Sequence, residues 1–270
     1  MLYIYSIIFG IVQGITEFLP VSSSGHLVIL HNILNFNFEQ NLAFDVALHL
    51  GTGFALIIYF WQDLKKYFIV FFKFIFKEKV EKAEIDLVFK LIVATMPAVI
   101  IGIFLENIID NALRSVWIVI SMLIAISIVF FVVEKYSKRN KQIQELSWGQ
   151  AILIGFSQAL ALVPGVSRSG ITISAGMVSK LKRAESARFA FLLGIPIILG
   201  AGFYKIFKLD FTEFDSELTW IFYIGFISSF ITGYLVIRFL MRFLTKHKLN
   251  IFAWYRIGLA VILIIYFVVR

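Results

Sequence analysis

The stretch V-S-S-S-G at residues 21–25 recurs as V-S-R-S-G at residues 166–170, a distance of 145 positions from Val21 to Val166. Three further pairs keep this offset: Gly10 with Gly155, Gln13 with Gln158 and Phe44 with Phe189. Each copy interrupts an apolar stretch, and matched breaks in two halves are typical of membrane proteins whose site lies between the halves. The pattern predicts a single membrane domain over 1–270, with repeat one at about 1–134 and repeat two at about 148–270.

Composition sets the fold class. Of the 270 residues, 60% are hydrophobic and the mean hydropathy is +0.90, which is too apolar for a soluble domain. The apolar runs are continuous, whereas a membrane β-barrel would have short alternating segments. We therefore predict an all-α polytopic membrane protein. The chain contains no cysteine, which excludes disulfides, thiol catalysis and metal sites built on cysteine.

The net charge of +8 is unevenly distributed. Most basic residues fall in four clusters, at 65–90, 135–141, 180–188 and 238–248. Lysine and arginine concentrate in cytoplasmic loops of membrane proteins, so these clusters indicate the cytoplasmic side. We expect a membrane partner and no nucleic-acid partner, and we leave a homodimer open.

The hydropathy pattern predicts six full spans, at 43–61, 88–105, 115–134, 187–206, 219–240 and 250–269. With the basic clusters inside, the connections 106–114 and 207–218 lie outside. The stretches 1–31 and 148–179 must then each enter and leave on one side, as re-entrant helical hairpins, the first from outside and the second from the cytoplasm. Each half has one hairpin and three spans, and an odd number of spans makes the second half inverted. The long loop 62–90 is rich in lysine and phenylalanine and suits an amphipathic helix on the inner leaflet.

The first break carries ionisable and hydroxyl groups. Gln13 and Glu17 are four residues apart and share a helix face, and Pro20 ends that helix. The serines at 22–24 suit the start of a second helix, although serines at such positions usually act only as caps. Non-helical backbone at membrane depth survives only where it is buried in protein or lines a wet cavity. The break therefore predicts a cavity.

The second break carries an arginine. Pro164 and Gly165 end one helix, Ser167 caps the next, and Arg168 lies in the first turn of that helix. A cation is unfavourable at a helix N-terminus because it opposes the helix dipole. An anion bound in front of both the cation and the helix end would offset this cost. Helix N-termini and arginine both bind phosphate. If the two hairpins meet tip to tip, two N-termini and Arg168 converge on one anion.

These residue types predict phosphoryl chemistry between the hairpins. Arg168 and the amides would stabilise charge on the phosphoryl group, Ser23 could be the nucleophile, and His26 could activate it or protonate the leaving group. Glu17 could be a base, orient His26, or hold a divalent cation with Gln13. We assign the remaining histidines, His31, His49 and His247, to loops or span ends. The predicted phosphate-binding residues at the two helix starts are Ser22, Ser24, Gly25, Ser167, Ser169 and Gly170.

Two motifs, Q-G-I-T-E-F-L-P-V-S-S-S-G-H-L at 13–27 and P-G-V-S-R-S-G-I-T at 164–172, resemble the signatures of the undecaprenyl-pyrophosphate phosphatase family. The resemblance covers the whole chain. It implies hydrolysis of undecaprenyl pyrophosphate to undecaprenyl phosphate and phosphate at the outer face of the bacterial plasma membrane. It also implies recycling of the carrier lipid for peptidoglycan synthesis, and bacitracin resistance.

The resemblance also implies roles for single residues. The family's acidic pattern falls on Gln13 and Glu17, its histidine on His26 and its proposed serine nucleophile on Ser23. Its arginine falls on Arg168, and the flanking serine and threonine on Ser167 and Thr172. The family depends on Mg²⁺ or Ca²⁺, although this sequence contains no full ligand set.

A transporter or flippase for lipid phosphate or another anion is the alternative, because broken helices in inverted repeats are a common transporter plan. A transporter would not need a nucleophile beside an acid–base pair. The occurrence of Glu17, Ser23 and His26 in one short segment therefore favours the enzyme.

Overall fold

The computed structural model describes residues 1–34, 41–112, 115–208 and 215–269. Over these ranges the chain forms eleven α-helices and one short 3-10 turn, and no β-strand. Parts of the two predicted outer connections, at 113–114 and 209–214, lie outside the described residues. The helices are α1 (Leu2–Phe18), α2 (Ser23–Leu34), α3 (Asn41–Tyr59), α4 (Trp61–Ile75), α5 (Lys82–Ala112), α6 (Val116–Tyr136), α7 (Trp148–Leu160), α8 (Arg168–Val178), α9 (Arg183–Ile206), α10 (Ser216–Lys246) and α11 (Asn250–Val269).

Six of the described helices, α3, α5, α6, α9, α10 and α11, are long and apolar enough to cross a membrane. They coincide with the six predicted spans, so the all-α polytopic class is confirmed. The helix ends extend beyond the apolar windows: α5 begins at Lys82 and α10 ends at Lys246. Hydropathy marks only the part of a helix in hydrocarbon, whereas backbone hydrogen bonding continues into the charged flanks.

The predicted loop 62–90 is mostly helical. Its first half is α4, which exposes Phe68 (66%) and Phe72 (38%) on one face. Lys66 on α4 pairs with Glu84 on α5 at 2.5 Å, and α4 packs against α5. Exposed aromatic rings beside lysines suit an interfacial helix. The second half of the stretch belongs to α5, so only the residues between Ile75 and Lys82 connect the two helices.

Each half begins with a helical hairpin, α1–α2 or α7–α8. The first hairpin helix packs against the second span of the other half, α1 on α10 and α7 on α5. The in-register Gly10 and Gly155 lie at these contacts, where a Cβ would overlap Ser228 of α10 and Ala94 of α5 respectively. Small residues allow such close approach. The first helix of each hairpin thus packs on a span of the other half, which is the arrangement expected for two halves related by a pseudo-two-fold axis. The side of the membrane from which each hairpin enters stays a prediction.

One buried cation holds the turns of both hairpins. Arg256 on α11 has no exposed surface. Its guanidinium donates to the carbonyl oxygens of Pro20 at 3.4 Å and Gly165 at 2.8 Å, one in each turn. It also donates to the carbonyls of Met122 (3.0 Å) and Leu123 (3.3 Å) on α6. The turn carbonyls lie outside the helices and lack a helical hydrogen bond, so the guanidinium supplies a charged donor to each. These bonds fix the two turns relative to each other.

Candidate active site

The turns of the two hairpins touch inside the bundle. Ser169 Oγ of the second hairpin donates to the carbonyl oxygen of Leu19 in the first, at 3.3 Å. Beside this contact lies a cavity of about 340 Å³. Its polar lining comes from both hairpins, α3 and α9, and its apolar lining from both hairpins, α3, α9 and Ala98 of α5. The polar residues around it are Glu17, Ser22, Ser23, Ser24, Asp45, His49, Gln158, Ser167, Arg168 and Lys205.

The two helix starts at the cavity are built alike. Ser22 and Ser167 have positive φ angles, 77° and 74°, which non-glycine residues rarely adopt. Each serine Oγ accepts a hydrogen bond from a glycine N–H three residues later, Gly25 at 3.4 Å and Gly170 at 3.2 Å. Such conformations cost about 1–3 kcal/mol each and cluster at functional sites. The strained turns place Ser23 and Arg168 at matched positions, the first residues of α2 and α8.

Glu17 joins the two hairpins. Its Oε2 accepts from Ser23 Oγ at 2.7 Å and from Gln13 Nε2 at 3.1 Å. Its Oε1 accepts from Arg168 Nη2 at 2.9 Å, although the two residues are 151 positions apart. The carboxylate is only 6% exposed, so it depends on these donors for its solvation. The structure therefore brings together three of the four predicted catalytic residues.

His49 also belongs to this cluster, and its assignment to a loop or span end is wrong. It lies in the middle of α3, where Nδ1 is 2.8 Å from Gln13 Nε2 and 3.3 Å from Glu17 Oε2. The sequence held a signal for it, because an ionisable residue in mid-span usually has a function.

Arg168 is only partly satisfied by Glu17. Its Nε and Nη1 are buried and have no hydrogen-bond partner within the described part of the chain. The guanidinium lies against Gly194 of α9, where a Cβ would overlap Nη1. The missing side chain at Gly194 thus provides the room in which Arg168 sits. Two unpaired donors of a charged group at a cavity can accept an anion.

His26, the fourth predicted catalytic residue, points away from this cluster. Its Nδ1 is 2.7 Å from the carbonyl oxygen of Ser22, and its Nε2 is 2.8 Å from Tyr255 Oη on α11. Thr172 Oγ1 donates to the carbonyl oxygen of Arg168, within its own helix, at 2.6 Å. Of the predicted site residues, those outside the cavity lining are Gln13, Gly25, His26, Ser169, Gly170 and Thr172. They contact the residues that line it, and their predicted roles stay predictions.

The donor set can be tested against a divalent cation. Among the described residues, no group of three or more His, Asp or Glu side chains could hold a metal ion by itself. Gln13 Oε1, however, is buried without a hydrogen-bond partner in the described part of the chain, and Nε2 of the same amide contacts the Glu17 carboxylate at 3.1 Å. Mg²⁺ is commonly held by one or two carboxylates together with substrate phosphates. The residues therefore fit a cation that shares its ligands with a phosphate.

Comparison with known proteins identifies the family of this chain. Residues 6–262 match the family model of the bacitracin resistance protein BacA. An undecaprenyl-diphosphatase of Desulforudis audaxviator is 42% identical over 260 residues, covering 96% of each chain. Those of Thermodesulfovibrio yellowstonii and Rubrobacter xylanophilus are 42% and 39% identical, over 98% and 94% of this chain and 97% and 94% of their own. The chain belongs to the BacA bacitracin resistance family.

Proposed function

We propose that this protein hydrolyses undecaprenyl diphosphate to undecaprenyl phosphate and inorganic phosphate, which recycles the carrier lipid for peptidoglycan synthesis and confers resistance to bacitracin. The observation that carries the proposal is the contact of a buried carboxylate with both a serine and an arginine at one cavity. Similarity to undecaprenyl-diphosphatases over 94% or more of the chain supplies the substrate.

In the first step, Ser23 Oγ attacks the terminal phosphorus. The bond between Ser23 Oγ and phosphorus forms as the bond from that phosphorus to the bridging oxygen breaks, and undecaprenyl phosphate leaves. The serine proton passes to Glu17 Oε2, which is 2.7 Å from Oγ. Arg168, with Nε and Nη1 unpaired, offers donors to the charged phosphoryl oxygens, and the N-termini of α2 and α8 add partial positive charge.

In the second step, water opens the phosphoserine. Glu17 gives its proton to the departing lipid phosphate and then takes one from the attacking water. The new bond joins the water oxygen to phosphorus, the bond to Ser23 Oγ breaks, and the serine takes its proton back from Glu17 as inorganic phosphate leaves. Gln13 and His49 hold the carboxylate in place through both steps, because each lies within 3.3 Å of Oε2.

A divalent cation, Mg²⁺ or Ca²⁺, is part of the proposal. Gln13 Oε1 and Glu17 are the protein oxygens that would hold it. A cation bound together with the pyrophosphate group would neutralise part of the negative charge of the phosphates.

The size of the cavity indicates how the lipid binds. A volume of about 340 Å³ suits a pyrophosphate head group but not an undecaprenyl chain. Extracting such a chain from the bilayer would cost about 0.8 kcal/mol per CH₂. The apolar side of the lining, which includes Ala98, Ile197 and Ala201, gives the first isoprene units a path toward lipid.

We place the mouth of the cavity at the outer face of the plasma membrane. Leu42, near the start of α3, and Lys205, near the end of α9, both line the cavity. These two helix ends are remote in sequence from the basic clusters, which indicate the cytoplasmic side. The orientation suits a substrate whose pyrophosphate is released outside the cell.

The first experiment measures phosphate release from undecaprenyl diphosphate by purified protein in detergent with Mg²⁺ or Ca²⁺. We expect release by the wild type and a loss of about 10³-fold or more in Ser23→Ala, because the nucleophile is gone. Acid quenching should trap phosphate on Ser23 of the wild type only. A Ser23→Ala variant that keeps about a tenth of the rate would make water the nucleophile. No release by folded wild type with either cation would favour the transporter.

Gly194→Ala tests how Arg168 is positioned without changing any polar group. A Cβ at this position overlaps the guanidinium, which must move. Displacement of a catalytic group by about 1 Å costs about 10²-fold in rate, so we expect a loss of that size in kcat. Gly200→Ala is the matched control on the same helix, since, apart from the backbone of its own helix, no atom of the described residues lies within 4 Å of a Cβ there. Equal rates in the two variants would contradict this role of Gly194.

A further inference from the structure

Among the described polar residues that line the cavity, Gln158, near the end of α7, is the one whose side chain forms no hydrogen bond. It is 2% exposed and lines the same cavity as Glu17 and Arg168. Both polar atoms of its amide, Nε2 and Oε1, are buried without a hydrogen-bond partner in the described part of the chain. Buried polar groups are normally paired, and unpaired ones destabilise the fold. Leucine would fill this position without that penalty.

The repeat explains how the amide lost its partners. Gln158 corresponds to Gln13, whose Nε2 contacts Glu17 Oε2 at 3.1 Å and His49 Nδ1 at 2.8 Å. At the same offset from Glu17 and His49, the second half has Leu162 and Gly194. The second half thus keeps the glutamine but lacks both groups that satisfy it in the first.

Arg168 occupies the space that opened in the second half. Its guanidinium lies where a side chain at Gly194 would be, and its own Nε and Nη1 are also unpaired. The cavity therefore presents unpaired N–H groups of Gln158 and Arg168. A ligand that satisfies both must be rich in acceptor oxygens and negatively charged. Phosphate oxygens meet both requirements.

We propose that Gln158 is a substrate-binding residue, whose amide N–H donates to a non-bridging oxygen of the pyrophosphate group beside Arg168. This inference rests on the proposed function. The neutral amide adds a directional hydrogen bond without adding charge, and its Oε1 can accept a hydrogen bond from the P–O–H group of a monoprotonated phosphate, which a guanidinium cannot do.

Gln158→Leu tests the inference, because it removes both unpaired atoms at similar length. We expect KM for undecaprenyl diphosphate to rise about 10- to 100-fold, the range for a hydrogen bond to a charged group, with kcat changed about threefold at most. Inhibition by inorganic phosphate should weaken in proportion. The midpoint of thermal unfolding should stay the same or rise. Gln158→Glu should raise KM further, because a carboxylate repels phosphate.

Ser157→Ala is the matched control. Ser157 is the preceding buried residue, and its Oγ donates to the carbonyl oxygen of Ile154 in its own helix at 2.7 Å. The KM of Ser157→Ala for undecaprenyl diphosphate and its inhibition by inorganic phosphate should equal those of the wild type. An unchanged KM in Gln158→Leu would overturn the proposal. If the unfolding midpoint fell as well, the amide would serve only the fold.

A binding experiment separates this inference from the phosphatase activity. Methylenediphosphonate, which cannot be hydrolysed, is titrated against wild type and Gln158→Leu while thermal unfolding is followed. Stabilisation of the wild type at concentrations about 10- to 100-fold below those needed for the variant would support the role of Gln158 even if no phosphate release were found. Equal midpoint shifts in both proteins would overturn it.

Discussion

Glu17→Gln is expected to lower kcat for phosphate release by about 10²- to 10⁴-fold, the range for loss of a general base. Glutamine keeps the shape of the side chain but cannot take the proton of Ser23, whose Oγ is 2.7 Å from Oε2. The same change leaves the buried guanidinium of Arg168 without its ion-pair partner. Breaking a buried pair costs about 3–5 kcal/mol, so the midpoint of thermal unfolding should fall as well.

A second substitution separates the loss of chemistry from the loss of stability. The double variant Glu17→Gln with Arg168→Gln removes both charges, so its unfolding midpoint should recover toward that of the wild type while its activity stays lost. Glu84→Gln serves as the control, since Glu84 pairs with Lys66 outside the cavity. Wild-type kcat in a folded Glu17→Gln protein would remove the carboxylate from the mechanism.

Arg168→Lys is expected to lower kcat by about 10²- to 10³-fold, the loss that follows removal of one preorganised donor to the transition state. Lysine keeps the charge that pairs with Glu17, so the fold should be retained. It cannot reproduce the planar fork that leaves Nε and Nη1 free for phosphate while Nη2 binds Glu17. The measurement is kcat and KM for undecaprenyl diphosphate.

The matched control for this variant is Arg188→Lys. Arg188 lies on the same helix as Gly194 but pairs with Asp63 of α4, and neither residue lines the cavity. Its replacement should leave kcat within about threefold of the wild type, because exposed or half-exposed pairs contribute little. Similar losses in Arg168→Lys and Arg188→Lys would show that the effect is on the bundle as a whole and not on the phosphoryl group.

The repeat made part of the site predictable. Ser23 and Arg168 stand at matched positions of two motifs, and each needed only local rules: a helix break, a cap, and a charge that opposes the dipole. The importance of Glu17 could be predicted in the same way, since a carboxylate in an apolar helix is costly unless it has a function. These arguments depend on residues within a few positions of one another.

Those rules mark His49 as an ionisable residue in mid-span, but they do not show which groups His49 and Gln158 contact. His49 is 32 positions beyond Glu17, and only the packing of α3 beside α1 brings its ring within 3.3 Å of the carboxylate. Gln158 matched Gln13 in the sequence, yet its lack of partners depends on Leu162 and on the space around Gly194, which Arg168 fills. His26 is the converse case, because the proximity of Tyr255 on α11 turns its ring away from the cluster.

The sequence by itself determined the helical membrane class, the six spans and the two breaks, because hydropathy and helix termination are local properties of the chain. Only the tertiary structure decided which charges meet. The ion pair of Glu17 with Arg168 joins residues 151 positions apart. Arg256 binds carbonyls of both turns from a third helix. Such contacts follow from how helices pack around one cavity, where buried charges and unpaired backbone groups must find partners wherever in the chain these lie.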